Sequence, residues 1–205
     1  MDSIIFDLDG TIWDSRQTIV RAWNQVLTQY DEVNKEVTED DLKRVMGLQE
    51  DEISEILFPE LSKEKRKEIM VACGKQENAV LAEKGGELYD GVEEILQHLS
   101  EKYKLFIVSN CQDGYIESFY AFHQVEKYFI DFENPGRTGL SKGENIKLVM
   151  ERNQLESPIY VGDTAGDQKA SEVAGIPFAY ASYGFGTVEK YDYKLERFAD
   201  LKRFL

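Results

Sequence analysis

From residue 87 onward, short apolar segments alternate with segments of helical periodicity, and this alternation strongly limits the possible folds. Segments 104–109 and 158–162 are typical of buried strands, and the first segment of the chain, Ile4-Ile5-Phe6, has the same character. Strands that alternate with helices predict a doubly wound, Rossmann-like parallel α/β sheet. Shorter strands are predicted at 128–132 and 176–180, and a closing helix is predicted at 197–205.

The stretch between the first strand and residue 87 has a different character. Helical patterns cover 15–30, 38–46, 50–57 and 62–84, and no convincing strand interrupts them. The sequence therefore predicts an α/β core formed by residues 1–14 and 87–205. An all-helical domain, residues 15–86, is expected as an insertion directly after the first strand.

Polar residues follow three of the predicted strands. They are Asp7 and Asp9, Ser109 and Asn110, and Asp163 with Asp167 one helical turn later, while Lys142 precedes a helix between the last two strands. In open α/β sheets ligands bind outside the carboxyl ends of the strands, so these groups are expected to form one site. Several carboxylates do not stay ionised together without a cation, and oxygen ligands of this kind suit Mg²⁺. Ser109 and Lys142 are donors that a phosphoryl oxygen would accept.

Each residue taken alone also has a simpler interpretation. Asp163 and Asp167 could belong to a solvated helix start, where carboxylates are favourable. Ser109 could cap a strand end, Lys142 could be a surface lysine, and Thr11 could satisfy a turn. The joint placement of these residues at strand ends favours a functional site.

Composition excludes several classes of partner. A formal net charge of −15 over 205 residues disfavours binding to nucleic acid or to an anionic membrane, although a local cation can still attract a small anionic substrate. The two cysteines, Cys73 and Cys111, lack a CxxC spacing, which argues against zinc and a disulfide scaffold. No apolar run of about 20 residues and no basic amino-terminal region is evident, so a cytoplasmic enzyme without signal peptide is expected.

Four sequence motifs carry a family resemblance. They are Asp7-Leu8-Asp9-Gly10-Thr11, Ser109-Asn110, Lys142, and Gly162-Asp163-Thr164-Ala165-Gly166-Asp167. In order and rough separation they resemble the motifs of the haloacid dehalogenase superfamily, and the resemblance covers essentially the whole chain. Segments 9–15, 174–177 and 183–186 are most similar to the phosphoglycolate phosphatase-like branch, and the helical insertion resembles the cap domain of that branch.

The resemblance implies a role for each residue of the motifs. Asp7 would be the nucleophile, and Asp9 would be the general acid and base. The metal set would be Asp7, Asp9 through its backbone carbonyl, and Asp163, with Asp167 in support and Mg²⁺ as the cofactor. The phosphate group would be held by Thr11, Ser109, Asn110 and Lys142.

The implied function is a Mg²⁺-dependent phosphatase that hydrolyses a small phosphate monoester, similar to phosphoglycolate or a sugar phosphate, through an aspartyl-phosphate intermediate. A sugar phosphomutase resembling β-phosphoglucomutase and a non-catalytic binding or regulatory protein are the alternatives. A dehalogenase is disfavoured because that branch lacks the second aspartate, which is Asp9 here. The expected partner is a small phosphorylated metabolite, with no nucleic acid or membrane, and the sequence does not predict an oligomeric state.

Three residues depart from the pattern of the branch, and two residues of the insertion are candidates for substrate binding. The departures are Trp13, Asp90 before Gly91, and Gly143 after Lys142. Arg44 and Gly47 lie at a helix end that resembles the substrate loop of the cap, although a charged helix face explains Arg44 as well.

Overall fold

The computed structural model describes residues 1–204, which divide into two compact units. The first unit contains residues 1–14, 87–113 and 125 onward, and the second contains residues 15–86 and 114–124. In the described part of the chain, no helix combines the length and the apolar character needed to span a lipid bilayer.

Among the described residues, eight strands belong to the first unit. In chain order they are β1 (Ser3–Phe6), β2 (Trp13–Asp14), β3 (Glu87–Leu88), β4 (Lys104–Val108), β5 (Asp131–Glu133), β6 (Pro158–Gly162), β7 (Phe178–Ala181) and β8 (Tyr193–Leu195). Six of them form one sheet with the order β5-β4-β1-β6-β7-β8, and every neighbouring pair is parallel. β2 and β3 pair antiparallel as a separate two-stranded ribbon.

Ten helices complete the described chain. In chain order they are α1 (Arg16–Leu27), α2 (Glu39–Val45), α3 (Glu50–Leu57), α4 (Lys63–Lys84), α5 (Val92–Ser100), α6 (Tyr115–His123), α7 (Pro135–Thr138), α8 (Lys142–Arg152), α9 (Ala165–Ala174) and α10 (Leu201–Phe204). Helices α1 to α4 and α6 belong to the second unit, and the others belong to the first. The predicted α/β fold class is therefore confirmed.

The order of the strands creates a switch point at β1. From β1 the chain moves outward to β4 and β5, and then returns to place β6 on the other side of β1. Ser3 of β1 accordingly pairs with Lys104 on one side and with Pro158 on the other. In an open α/β sheet, the crevice outside the carboxyl ends of the strands at such a reversal is the usual ligand site.

A core of buried side chains holds the helices α8 and α9 against the sheet. It includes Ile5, Phe106 and Tyr160 from three adjacent strands, together with Ile146 of α8 and Ala170 of α9. Gly143 allows the close approach of the two helices, because a Cβ at this position would lie 2.7 Å from Val173 Cγ1. This approach gives Gly143 a packing reason to depart from the pattern of the branch.

The structure corrects the limits of several predicted elements. The strand predicted at 128–132 is β5, displaced toward the carboxyl terminus because Glu126–Tyr128 forms a 3₁₀ turn. The N-cap of α5 is Gly91, with a φ of 74°. The closing helix expected at 197–205 consists of the 3₁₀ turn Phe198–Asp200 followed by α10, and residue 205 lies outside the described residues.

Candidate active site

The carboxyl ends of three adjacent strands bring the predicted site residues together. Asp7 follows β1, Ser109 follows β4, and Asp163 follows β6, and β1 lies between the other two strands. The amide of Asp7 donates to the Val161 carbonyl at 2.8 Å, which continues the pairing of β1 with β6 into the site. The site therefore lies at the switch point of the sheet.

Lys142 joins two of the carboxylates. Its Nζ lies 2.8 Å from Asp7 Oδ1 and 2.6 Å from Asp167 Oδ1, and all three side chains are buried. The lysine is the first residue of α8, where Ser141 and Glu144 form a capping box that fixes the start of the helix. A buried charge requires pairing of this kind, because desolvation of an unpaired ammonium is very costly.

A third carboxylate completes a compact acidic cluster. One carboxylate oxygen from each of Asp7, Asp163 and Asp167 lies within 4.8 Å of the other two. Lys142 supplies a single positive charge to these three potential negative charges, so the cluster has an excess of acidic groups. Such an excess is relieved by protons or by a cation.

The pKa values of the cluster reflect this excess. Burial, followed by the charge of Asp167, raises the pKa of Asp7 to about 6, although Lys142 and a hydrogen bond with Ser109 oppose the shift. Burial and the same neighbour also raise the pKa of Asp163 well above its ordinary value. Burial acts on Asp167 too, but Lys142 and Thr164 outweigh it, so the pKa of Asp167 is lowered.

Asp167 uses both carboxylate oxygens within the protein. Oδ1 accepts from Lys142, and Oδ2 accepts from the amides of Asp163 and Thr164 and from the Thr164 hydroxyl, at 3.2, 2.9 and 2.7 Å. Thr164 and Asp167 thereby form the capping box of α9. These contacts suit a residue that holds Lys142 and the start of α9.

Asp163 is held on one side only. Its Oδ2 accepts from the Phe185 amide at 2.6 Å, whereas its Oδ1 is buried and has no hydrogen-bond partner among residues 1–204. A buried carboxylate oxygen without a partner carries a large desolvation cost, which a cation would remove. The oxygen donors of Asp7 and Asp163 therefore fit Mg²⁺, a hard cation that takes few protein carboxylates.

A tight turn after β1 carries the remaining residues of the first motif. The Leu8 carbonyl accepts from the amides of Thr11, Ile12 and Trp13, at 3.2, 2.8 and 3.3 Å. Gly10 has a φ of 79°, and a Cβ here would lie 2.2 Å from Asp163 Oδ2, so the turn and the carboxylate need a glycine between them.

Asp9 and Thr11 take different positions on this turn. Asp9 is half-buried, and in the described part of the chain its carboxylate does not belong to the cluster of Asp7, Asp163 and Asp167. Thr11 is fully buried, and its Oγ1 has no hydrogen-bond partner among the described residues. Asn110 follows Ser109 at the end of β4 and is half-buried.

The sequence does not predict the contacts that two tyrosines and a loop amide make at the site. The hydroxyl of Tyr160, in the middle of β6, donates to the Val108 carbonyl at 2.7 Å and lies 3.4 Å from Asp167 Oδ1. The Tyr183 hydroxyl donates to the Thr11 carbonyl at 2.8 Å, and the Phe185 amide reaches Asp163. A tyrosine hydroxyl inside an apolar strand indicates a buried polar contact, so Tyr160 could have been found from the sequence. Nothing in the sequence marks a backbone amide.

Arg44 has a structural partner in the second unit. Its guanidinium contacts Asp41 on the same exposed face of α2. This contact agrees with the interpretation of Arg44 as part of a charged helix face.

Comparison with known proteins places these features in a family. The model of the family described as haloacid dehalogenase-like hydrolase matches residues 4–181. A curated relative from Thermotoga maritima, named phosphorylated carbohydrates phosphatase, is 27% identical over 186 residues, which cover 88% of this chain and 84% of the relative.

Solved structures show the same fold over nearly the whole chain. A haloacid dehalogenase-like family hydrolase from Streptococcus pneumoniae has a TM-score of 0.86 at 21% identity, with 100% of this chain and 98% of that chain covered. A predicted phosphoglycolate phosphatase from Haemophilus somnus 129PT has a TM-score of 0.82 at 21% identity, with 100% and 97% covered. The family match over most of the sequence confirms the predicted family and the prediction of an enzyme: this chain belongs to the haloacid dehalogenase-like hydrolases.

Proposed function

We propose that the protein is a Mg²⁺-dependent phosphatase that hydrolyses a small phosphate monoester through an aspartyl-phosphate intermediate. The observation that carries this proposal is the buried group of Asp7, Asp163 and Asp167 with Lys142 at the switch point of the sheet. Such a group combines a nucleophile, a fixed cation and an open carboxylate oxygen in one place. The family match supports the same chemistry.

Asp7 is the proposed nucleophile. One of its carboxylate oxygens attacks the phosphorus atom, a bond forms between that oxygen and phosphorus, and the bond from phosphorus to the alcohol oxygen of the substrate breaks. Lys142 and Ser109 hold the carboxylate by hydrogen bonds, which fixes its orientation for attack in line with the leaving oxygen. The phosphoryl oxygens are proposed to accept hydrogen bonds from Thr11, Ser109, Asn110 and Lys142.

Asp9 is the proposed general acid and base. In the first step its protonated carboxyl group gives a proton to the leaving alcohol oxygen. In the second step its carboxylate takes a proton from a water molecule, which attacks phosphorus and releases Asp7 together with inorganic phosphate. Its half-buried position, outside the acidic cluster, suits a group that exchanges protons with substrate and water.

Mg²⁺, when bound, would neutralise the charge of the phosphoryl group so that a carboxylate can approach it. Asp7, Asp163 and the backbone carbonyl of Asp9 are the residues proposed to hold the ion. Asp167 is proposed to keep Lys142 in place from the other side. Lys142 thereby keeps a positive charge beside the attacking oxygen of Asp7.

The substrate class is proposed from the relative. The protein from Thermotoga maritima is named for phosphorylated carbohydrates, so sugar phosphates, together with phosphoglycolate, are the first compounds to test. The helical residues 15–86 are proposed to act as the cap domain of the family. A cytoplasmic location stays a prediction.

A substrate panel tests the proposed function. We expect purified protein with Mg²⁺ to release inorganic phosphate from sugar phosphates or other small monoesters, and Asp7→Asn to lower the rate by at least about 10³-fold, because the nucleophile is lost. The exposed Asp31 offers a matched control, since Asp31→Asn makes the same chemical change on the surface and is expected to keep the wild-type rate.

The panel also distinguishes the alternatives. Interconversion of sugar phosphates without phosphate release would replace the phosphatase by a mutase. An absence of both reactions, with Asp7→Asn indistinguishable from wild type, would leave a binding or regulatory protein and refute the enzyme.

A further inference from the structure

The loop after β7 contacts the candidate site at several consecutive residues. This anchoring loop, Tyr183–Gly186, lies in the first unit, as do the turn after β1 and Asp163. The proposed chemistry assigns it no role. Its contacts nevertheless reach both the segment that carries Asp9 and the carboxylate proposed to bind the metal.

Tyr183 anchors the turn after β1. Its hydroxyl donates to the Thr11 carbonyl at 2.8 Å, and its ring packs edge to face against Tyr89 at 4.9 Å. Thr11 and Asp9 belong to the same tight turn, in which the Leu8 carbonyl accepts the next three amides after Gly10. The tyrosine thus limits the movement of the segment that presents Asp9.

Phe185 anchors the carboxylate of Asp163. Its amide donates to Oδ2 at 2.6 Å, a short distance for an N–H donor. Because Oδ2 is engaged in this way, the carboxylate cannot rotate freely. Oδ1 is then left as the oxygen available to a cation.

Gly184 brings the two anchored segments together. A Cβ at this position would lie 2.3 Å from the Gly10 carbonyl oxygen and 2.4 Å from Asp163 Cβ, distances that no side chain tolerates. The loop backbone therefore packs directly against the turn and against Asp163 at once. Any larger residue at Gly184 would have to push the two apart.

We propose that the anchoring loop is a positioning element of the metal site, with Tyr183 as a positioning residue that acts through the turn carrying Asp9. The loop fixes the separation between this turn and Asp163, and it selects Oδ1 of Asp163 as the metal ligand. The inference rests on the proposed function for the identity of the ion. It adds that metal affinity depends on residues that do not contact the metal.

Mg²⁺-dependent thermal stabilisation of the full chain, without substrate, tests the inference. Tyr183→Phe removes one hydroxyl and keeps the ring, so we expect the Mg²⁺ concentration that gives half of the stabilisation to rise at least threefold. Gly184→Ala adds bulk between Gly10 and Asp163, and we expect a rise of at least tenfold. Tyr191→Phe removes the hydroxyl of an exposed tyrosine and serves as the matched control with the wild-type concentration.

The outcomes separate this inference from the proposed function. Wild-type concentrations in both variants would overturn the inference, as would loss of the fold in both, which would indicate a purely structural loop. Because the two changes act by different means, one folded variant is enough to decide. Failure of the wild type to release phosphate, with Mg²⁺ stabilisation and the shifts intact, would refute the phosphatase and support the inference. No Mg²⁺ stabilisation of the wild type would overturn both.

Discussion

Lys142 is the buried positive charge of the candidate site. The ammonium group lies between Asp7 and Asp167, with Asp163 close to both, and all four side chains are buried. Asp167 is fully engaged by Lys142 and the start of α9, so its charge is balanced within the protein. The lysine is therefore both a structural counter-ion and the proposed partner of the nucleophile.

A pair of variants separates these two roles of Lys142. Lys142→Met leaves buried carboxylates without their counter-ion, so we expect the free energy of unfolding to fall by about 3–5 kcal/mol and activity to be lost. Adding Asp167→Asn removes one of the uncompensated charges and places an amide beside the Tyr160 hydroxyl. The double variant should therefore recover part of the stability, but none of the activity.

Urea unfolding and phosphate release measure the two effects side by side. If the double variant has a lower free energy of unfolding than Lys142→Met, as two independent destabilising changes would give, charge compensation does not explain the role of Lys142. If it regains activity together with stability, Lys142 has only a structural role.

The sequence predicts that the candidate site residues lie together at neighbouring strand ends, but it does not predict the contacts that support them. Asp7, Ser109 and Asp163 each follow a short apolar run, and the geometry of parallel strands brings such ends together. The contacts of Tyr160 with Val108 and of Phe185 with Asp163 depend on strand register and on the path of a loop. Neither the strand register nor the path of the loop can be read from the spacing of residues in the sequence.

At the scale of elements, the sequence predicts helices with a capping box well and edge strands poorly. Thr38 with Asp41 and Thr164 with Asp167 mark their helix starts by side-chain chemistry that is local in sequence. β8 lies at the sheet edge, with Tyr193 and Lys194 exposed, so it lacks the apolar run that marks a buried strand such as β6.

The capping box of α2 predicts a pH-dependent contribution to stability. Burial acts to raise the pKa of Asp41, but hydrogen bonds from Thr38 and Arg44 outweigh it and lower this pKa to about 2. Because the folded value lies below the ordinary value near 3.8, the carboxylate stabilises the fold above about pH 4. This contribution disappears as the pH falls from about 4 to 2.

Asp41→Asn should therefore cost about 0.5–1 kcal/mol at pH 7, a size typical of a solvent-accessible cap, and less at pH 3. Urea unfolding at the two pH values measures the difference. Asp40→Asn, one residue earlier in the same first turn, lacks the capping contacts and serves as the control. A cost for Asp41→Asn that is the same at both pH values would contradict the assignment.

At the scale of the whole molecule, the sheet concentrates acidic groups at one edge. The chain carries a formal net charge of −15, and its switch point brings Asp7 and Asp163, at adjacent strand ends, close to Asp167 in the first turn of α9. The clustered carboxylates of the site therefore lower the stability of the metal-free protein. Similar conflicts between stability and function are common in enzymes.

The pKa of Asp7 determines how the stability of the metal-free protein changes with pH. Its pKa in the folded protein is about 6, above the ordinary value of 3.8, so the folded state holds more protons than the unfolded state between these values. Stability accordingly falls as the pH rises from about 4 through 6, and the loss is complete above the folded pKa. The raised pKa of Asp163 acts in the same direction.

Asp7→Asn should therefore stabilise the metal-free protein at pH 7.5 by about 1–3 kcal/mol, since a shift of about two pKa units corresponds to about 3 kcal/mol before relaxation. The Asn oxygen can still accept from Lys142, so the ion pair is replaced by a hydrogen bond. At pH 4 the advantage should nearly disappear. In Mg²⁺ at pH 7.5 the wild type should become more stable than the variant, because the wild type has the Asp7 carboxylate to bind the ion and the variant lacks it.

Thermal unfolding in EDTA and in Mg²⁺, at pH 4 and pH 7.5, measures all four conditions. Asp31→Asn changes the net charge by the same amount at an exposed position, so it corrects for general charge repulsion. An Asp7→Asn variant that is less stable than wild type in EDTA at pH 7.5 would contradict the prediction. The carboxylate of Asp7 would then be held by its hydrogen bonds more strongly than burial opposes it, and the cluster would not need a cation for stability.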